Sequence, residues 1–239
     1  MTRLSEVLFK PPPKSCVLYY PGLPQSGGVI RDRSPYGNDG TIMGATWTRL
    51  PSGLWVLDFD GTDDWVSVND VDSLTFLSGA VDIPCTVKAW VKMTDATSFP
   101  IFQKGAWAST EEYEFTCDGN DRINWVLVDH SAADAYIGKL YGTALTSYEN
   151  TWIQLIGTYS GNASTAGIKI YLNGVRVDNA DITSGTYIAT ENLAGGLKIG
   201  RYEATYKAGS IALPAMFNKE WTASQVVNSY NQEKDLFKT

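Results

Sequence analysis

Histidine is nearly absent: the 239 residues contain one, His130. Cysteine is scarce as well, at three, and Cys16, Cys85 and Cys117 form no Cys-x-x-Cys pair. A structural zinc needs four grouped thiolate or imidazole ligands, so this chain does not read as a zinc protein. The three thiols read as small buried apolar side chains, with one disulfide plus a free thiol as the alternative. A serine–histidine–aspartate triad would have to use His130, which sits in the loop-like Asp129-His130-Ser131, and no Gly-x-Ser-x-Gly elbow exists. No apolar run approaches the roughly 18 residues of a membrane span. Residues 1–14 carry Glu6 and Pro11 to Pro13 and lack an apolar h-region, so no signal peptide is visible. Positive charge is short too: 19 Lys and Arg against 26 Asp and Glu give a net charge of −7. The basic residues are scattered, whereas phosphate binding needs a basic stripe, so nucleic acid is not an expected partner.

What is abundant is aromatic and turn-forming. The chain has 8 Trp, 13 Tyr, 8 Phe and 22 Gly. Short apolar segments recur, each closed by Gly, Asn, Asp or Pro, the mark of an all-β sandwich or barrel. The clearest pair lies at 168–177. Ile168, Ile170 and Leu172 alternate with Lys169, Tyr171 and Asn173. Asn173-Gly174 then supplies the two positive φ angles of a type I′ hairpin turn. Further strands are expected at 16–20, 54–60, 64–69, 85–93, 99–104, 112–117, 122–129, 135–140, 152–159, 197–202 and 209–217. In 86–93, Val87, Ala89 and Val91 share one face; Thr86, Lys88, Trp90 and Lys92 take the other. One apolar face per strand is what two packed sheets require. The run 208–217 is apolar on both faces except at Ser210, which suits a central strand, and Pro214 inside it implies a bulge or an edge. One helix is expected near the C-terminus, with Thr222 as N-cap and Gln225 completing a capping box. Residues 1–14 read as an extended, proline-rich arm in polyproline II geometry. Residues 15–239 read as one domain.

Six segments in order resemble the laminin-G-type jelly roll of the concanavalin A-like lectin/glucanase superfamily. They are Asp32-Arg33-Ser34-Pro35-Tyr36-Gly37-Asn38-Asp39-Gly40-Thr41, Phe59 to Val66, Thr86 to Val91, Trp152 to Tyr159, Ile170 to Gly174 with Ile199-Gly200-Arg201, and Ile211 to Tyr230. The resemblance spans about residues 16 to 232. It implies an antiparallel two-sheet sandwich closed by a short helix.

Three chemistries come into question. Glycosidases similar to this family carry paired carboxylates, because glycoside hydrolysis needs two carboxyls at a set separation. Here Glu112-Tyr113-Glu114, with Glu111 before it, is the nearest candidate, and Glu112 and Glu114 would share a strand face. The full Glu-x-Asp-x-x-Glu and Glu-x-Asp-x-Glu patterns are absent. These glutamates read as a solvated strand face, and no catalytic residue is assigned. The second chemistry is metal. Relatives with this resemblance often hold a structural calcium, which takes loop oxygens. Asp32, Asn38, Asp60 and Asp63, with Asp39 and Asp64 beside them, would supply these. The acid that relatives place after Gly-x-Ile is Ala212 here. The same Asp and Asn residues also suit turns that bond their own backbone.

The third chemistry is sugar binding, which combines aromatic faces with amides and carboxylates. Trp107, Tyr113, Asn120, Arg122, Trp125, His130 and Tyr136 form the candidate set. Trp107 lies among Gly105, Ala106, Ala108 and Ser109, which suits exposure. Trp125 shares a face with Ile123 and Leu127, which suits a core as well. The resulting expectation is a non-catalytic recognition or adhesion module that binds glycan through the concave sheet or its rim loops. The alternative is a structural decoration protein of a phage or virus particle, docking on capsid or tail through residues 1–14. A glycoside hydrolase or lyase ranks third. Location is expected to be extracellular or on a virion surface, with self-association left open.

Overall fold

The computed structural model describes residues 4–238. Two antiparallel sheets face each other, as the strand pattern and the resemblance imply. One has eight strands, in the order Val175–Arg176, Ile168–Leu172, Ile153–Tyr159, Cys85–Met93, Ala208–Phe217, Trp55–Asp60, Thr46–Arg49, with Cys16–Tyr19 also pairing to Ala208–Phe217. The other has nine, in the order Ala180–Ser184, Ala135–Leu140, Ile123–Asp129, Tyr113–Cys117, Pro100–Lys104, Leu197–Ile199, Trp65–Val68, Gly40–Met43, Val29–Ile30. The inward alternation fills one continuous core. Val87, Ala89 and Val91 meet Phe115, Trp125 and Leu127 from the opposite sheet. Cys16, Cys85 and Cys117 are all buried free thiols.

Local signals act as their chemistry requires. Asn173 and Gly174 take φ of 51° and 84°, the left-handed pair of the predicted turn. Ala208–Phe217 lies centrally, between Cys85–Met93 and Trp55–Asp60. Its register slips between Ala212 and Ala215, where Leu213 has φ 48° beside Pro214. The proline, which has no N–H for the ladder, is thereby absorbed in a bulge. Thr222 caps the helix Ala223–Glu233, and both bonds of its capping box to Gln225 are present.

The outer face of the eight-stranded sheet is covered, not solvated. The helix Ala223–Glu233 and the turn Lys234–Phe237 lie over it. The Trp90 ring stacks on Phe237 at 4.2 Å and on Tyr230 at 5.8 Å. Lys88 is buried here, at 3% exposure, and its Nζ pairs with Glu233. The N-terminal segment joins this layer. Where the sequence reading has extended chain throughout 1–14, Leu4–Leu8 instead coil into a short helix. Leu4 and Val7 pack against the Trp90 cluster, and the Tyr19 hydroxyl donates to the Val7 carbonyl at 2.9 Å. Apolar surface left open beside Phe237 favours this folding-back, because burial removes it from water. Between this segment, the helix and the sheet lies a groove of about 630 Å³, floored by Tyr19, Lys88 and Phe217.

Candidate functional site

Register decides what the nine-stranded sheet shows outward. In Tyr113–Cys117 the residues Tyr113, Phe115 and Cys117 enter the core, so Glu114 faces away. Gln103 lies opposite Glu114 on one side and Lys198 on the other. Cross-strand neighbours share a face, so Gln103, Glu114 and Lys198 form one outward polar row. Two segments fold over it. The turn of the hairpin Arg201–Tyr202 to Thr205–Tyr206 brings Glu203, and the loop 105–112 brings Trp107 and Glu111.

Gln103 is the hub. Its Nε2 donates to Glu111 Oε1 at 2.8 Å and to Glu203 Oε1 at 2.7 Å. Its Oε1 accepts from the Glu203 backbone N–H at 2.9 Å and from Lys198 Nζ at 3.1 Å. Glu203 Oε1 also accepts the Trp107 backbone N–H at 2.8 Å. That bond anchors the loop so that the Trp107 indole, 45% exposed, stands 6.3 Å from the Tyr136 ring. Burial, followed by the neighbouring Glu114 charge, pushes Glu111 up to about 8; burial pushes Glu114 up to about 7.

The glutamates are therefore not a solvated face. Glu111 and Glu112 are fully buried and Glu114 is half-buried, because the loop and the hairpin close over them. Nor do Glu112 and Glu114 act as the pair. Glu112 turns to the buried Lys104 at 3.0 Å and accepts the Leu193 N–H, while Lys104 also binds Asp70. Of the neighbouring carboxylates, Glu114 acts most strongly on the buried Glu111.

Of the expected sugar residues, Trp107 and Tyr136 come together. His130 sits at the same end of the sheet, in the turn after Ile123–Asp129, with Nδ1 2.5 Å from Asp134 Oδ1. Tyr113 and Trp125 do not belong to the site. Both are fully buried between the sheets, ring against ring at 5.6 Å, and the Tyr113 hydroxyl donates to the Leu74 carbonyl. Strand alternation sends them inward with Ile123 and Leu127. Asn120 and Arg122 occupy the turn at the opposite end of the strands, roughly 16 Å away at the usual strand rise. There the Asp118 carboxylate takes the Arg122 guanidinium and the Asn120 N–H. Gln103, Lys198 and Glu203 were not foreseen. The one available signal was a glutamine in the otherwise apolar segment Pro100-Ile101-Phe102.

The expected calcium ligands separate likewise. Asp32 and Asn38 lie before the strand Gly40–Met43, and Asp63 and Asp64 lie beyond its far end. Asp32 is consumed by its own loop, accepting the Tyr19, Ser34 and Asn38 N–H groups. The Asn38 side chain donates to the Val17 carbonyl. Asp60, Asp63 and Asp64 do converge, with one carboxyl oxygen from each lying within 4.8 Å of the others. Asp64 is raised by burial, and the Asp60 and Asp63 charges add to that.

Two antiparallel sheets packed face to face, with a short helix over one of them, make a jelly-roll sandwich of the concanavalin A-like kind. A laminin-G-type family model described as the concanavalin A-like lectin/glucanases superfamily matches residues 60–227. The chain belongs to this superfamily. No curated protein matches it by sequence. Among solved structures it is similar to the binding domain of Paraclostridial Mosquitocidal Protein 1, with TM-score 0.67, 10% identity, and coverage of 91% of this chain and 52% of that one. It is also similar to the receptor binding domain of botulinum neurotoxin D, with TM-score 0.64, 16% identity, and coverage of 92% and 53%. A third is the binding domain of botulinum neurotoxin DC in complex with rat synaptotagmin II, with TM-score 0.67, 13% identity, and coverage of 91% and 51%. The chain thus spans about half the length of these neighbours, and the likeness is one of fold. Among the described residues, no helix is long and apolar enough to cross a membrane.

Proposed function

We propose that the chain is a non-catalytic recognition module that binds carbohydrate on the outer face of the nine-stranded sheet. Trp107 and Tyr136 form the apolar surface for a sugar ring, and Glu203 and Glu114 take its hydroxyls. The observation that carries this reading is the exposed indole of Trp107, tied by its own N–H to Glu203 and set against Tyr136. An exposed indole beside a second ring and fixed carboxylates is the arrangement on which a sugar face stacks. The neighbouring folds are binding and receptor-binding domains, which supports recognition by a module of a larger protein at an extracellular surface. Hydrolysis is disfavoured because Glu111 is sealed from solvent and bonded to Gln103; a general acid must reach its substrate. A glycan array with the wild type and Trp107→Ala tests the proposal. Binding lost in the variant supports it, and no binding by either protein overturns it.

Docking on a larger assembly, such as a capsid or tail, through residues 1–14 is the second reading. The observation that bears on it is the groove of about 630 Å³ beside Pro11 to Pro13. Deleting residues 1–14 leaves assembly unchanged if this reading is wrong. A structural calcium is proposed at Asp60, Asp63 and Asp64, whose mutual repulsion a cation would relieve.

A further inference from the structure

The hydrogen bonds around Gln103 leave one oxygen unserved. Glu111 is fully buried, its Oε1 takes one Gln103 N–H, and its Oε2 meets no donor among the described residues. Gln103 has nothing further to give. Both amide protons are spent, on Glu111 and Glu203, and both lone pairs of its oxygen are taken, by Lys198 and the Glu203 N–H. The reverse orientation would aim the amide oxygen at two carboxylates, so the amide is locked. A buried carboxylate with one oxygen unserved is strongly unfavourable as an anion.

The surrounding charges do not relieve it. Glu114 stands three residues further on, in the strand Tyr113–Cys117 that the loop enters, and Glu203 lies on the hairpin; both raise its affinity for a proton. Tyr202 approaches Glu114 from the same hairpin. Among the described residues Lys198 brings an ammonium to this face, and its Nζ is held by the Gln103 and Gly105 carbonyl oxygens, 3.9 Å from Glu203. Arg201 lies over the Trp65 and Tyr206 rings and donates to the Glu203 carbonyl. Lys104 is engaged with Glu112 and Asp70 behind the loop.

We infer that a proton on the sealed Glu111 carboxyl holds the Trp107 loop in place, so that the candidate sugar surface is firmest in mild acid and loosens as the solution turns alkaline. Glu111 sits on the same loop as Trp107. When the proton leaves, a buried anion with one unserved oxygen remains under the Glu114 and Glu203 charges, and Glu111 reaches water by moving that loop. The movement pulls Trp107 from Glu203. The direction follows from the sign of the shifts. Both groups bind a proton more tightly in the closed form than when solvated, so the closed form is favoured at low pH, loses ground from the ordinary carboxylate range up to about 8, and levels above that. This rests on the proposed function only for its biological meaning, not for its test.

Hydrogen–deuterium exchange of peptides covering 105–112 and 201–206, corrected for intrinsic rates, is measured from pH 6 to 9 without ligand. In wild type, protection is expected to fall about a hundredfold between pH 6 and 8, tenfold for each pH unit below the raised Glu111 value, and to level by pH 9. In Glu111→Gln, which keeps the carboxyl shape but carries no ionisable proton, the fall should shrink to the part carried by Glu114, and in Glu111→Gln/Glu114→Gln it should vanish. Should the Glu111 variants fail to fold, Glu114→Gln decides: Glu111, raised chiefly by burial, should keep most of the fall there. Equal protection across pH in wild type, an undiminished fall in Glu111→Gln, or its loss in Glu114→Gln overturns the inference. A loop that opens on schedule in a protein binding no glycan at any pH retires the sugar reading and leaves the proton device standing.

Discussion

Replacing Glu233 by alanine should release the helical cover of the eight-stranded sheet. Its carboxylate accepts from Lys88 Nζ, from Trp90 Nε1 at 2.7 Å and from Gln154 Nε2 at 3.0 Å. All three donors are buried, and Lys88 is 3% exposed. Alanine therefore leaves the ammonium without a counter-charge and the Trp90 N–H without an acceptor, while Lys88 and Gln154 keep only the Ser229 hydroxyl, at 3.5 and 3.2 Å. Breaking a buried ion pair from one side costs about 3–5 kcal/mol, and the orphaned neutral donors fall within the same event, so they do not add in full. For a chain of this size about 2–4 °C is lost per kcal/mol, which puts the drop in Tm at roughly 6–20 °C. Urea denaturation followed by tryptophan fluorescence measures the loss. The companion variant Lys88→Met/Glu233→Leu removes both charges and should recover most of it, since a well-packed apolar pair is often no worse than a buried ion pair. A loss under about 1 kcal/mol, the scale of exposed pairs, would refute the reasoning. It would mean that water reaches Lys88 through the adjoining groove.

Other outcomes follow from the same geometry. Gly105→Ala should distort the Trp107 loop: φ is 85°, and an added Cβ would lie 1.8 Å from the Thr110 carbonyl oxygen. Glycan binding should fall with the loss of the platform, while circular dichroism shows the sheets intact. Calcium at millimolar excess should raise Tm in wild type and not in Asp60→Asn/Asp63→Asn, because a ligand that binds only the native state stabilises by mass action; identical melting with calcium and with chelator dismisses the site. Stability should decline from about pH 5 to pH 8 and then level, because Glu111 and Glu114 hold protons in the native state that the unfolded chain releases. Below about pH 4 it should decline again. Asp129 sits below its ordinary value although burial raises it, because the Ile188 N–H and the Ser131 hydroxyl hold its anion; the stability from such a depressed group is present above its unfolded pKa and is lost as acid protonates it. Urea midpoints at pH 3.5, 5.5 and 8.5 check both limbs, and a maximum at pH 8.5 contradicts the assignment.

The long strands were legible because their signals are local. Cys85–Met93, Ile123–Asp129 and Ile153–Tyr159 each carry apolar residues at period two over seven residues or more, and burial enforces that period. The strands that escaped notice are short edge or near-edge segments. Gly40–Met43, Thr46–Arg49 and Ala180–Ser184 are largely exposed, so no core imprints a pattern on them, and they are held by ladder bonds to neighbours. Trp125 illustrates the intermediate case. Its shared face with Ile123 and Leu127 already pointed inward, and only its chemical suitability for sugars pointed out.

What the residues determined unaided is the sandwich, its Asn173-Gly174 hairpin, its Thr222 cap and the acid-rich, aromatic character of its surface, since each depends on neighbours within a few positions. What only three-dimensional closure decided is which carboxyls meet. Glu111, Gln103 and Glu203 are joined across separations of 8 and 100 residues, and whether a glutamate is solvated or protonated depends on what folds over it. Charge and desolvation act through space, so a linear chain carries no local mark of them.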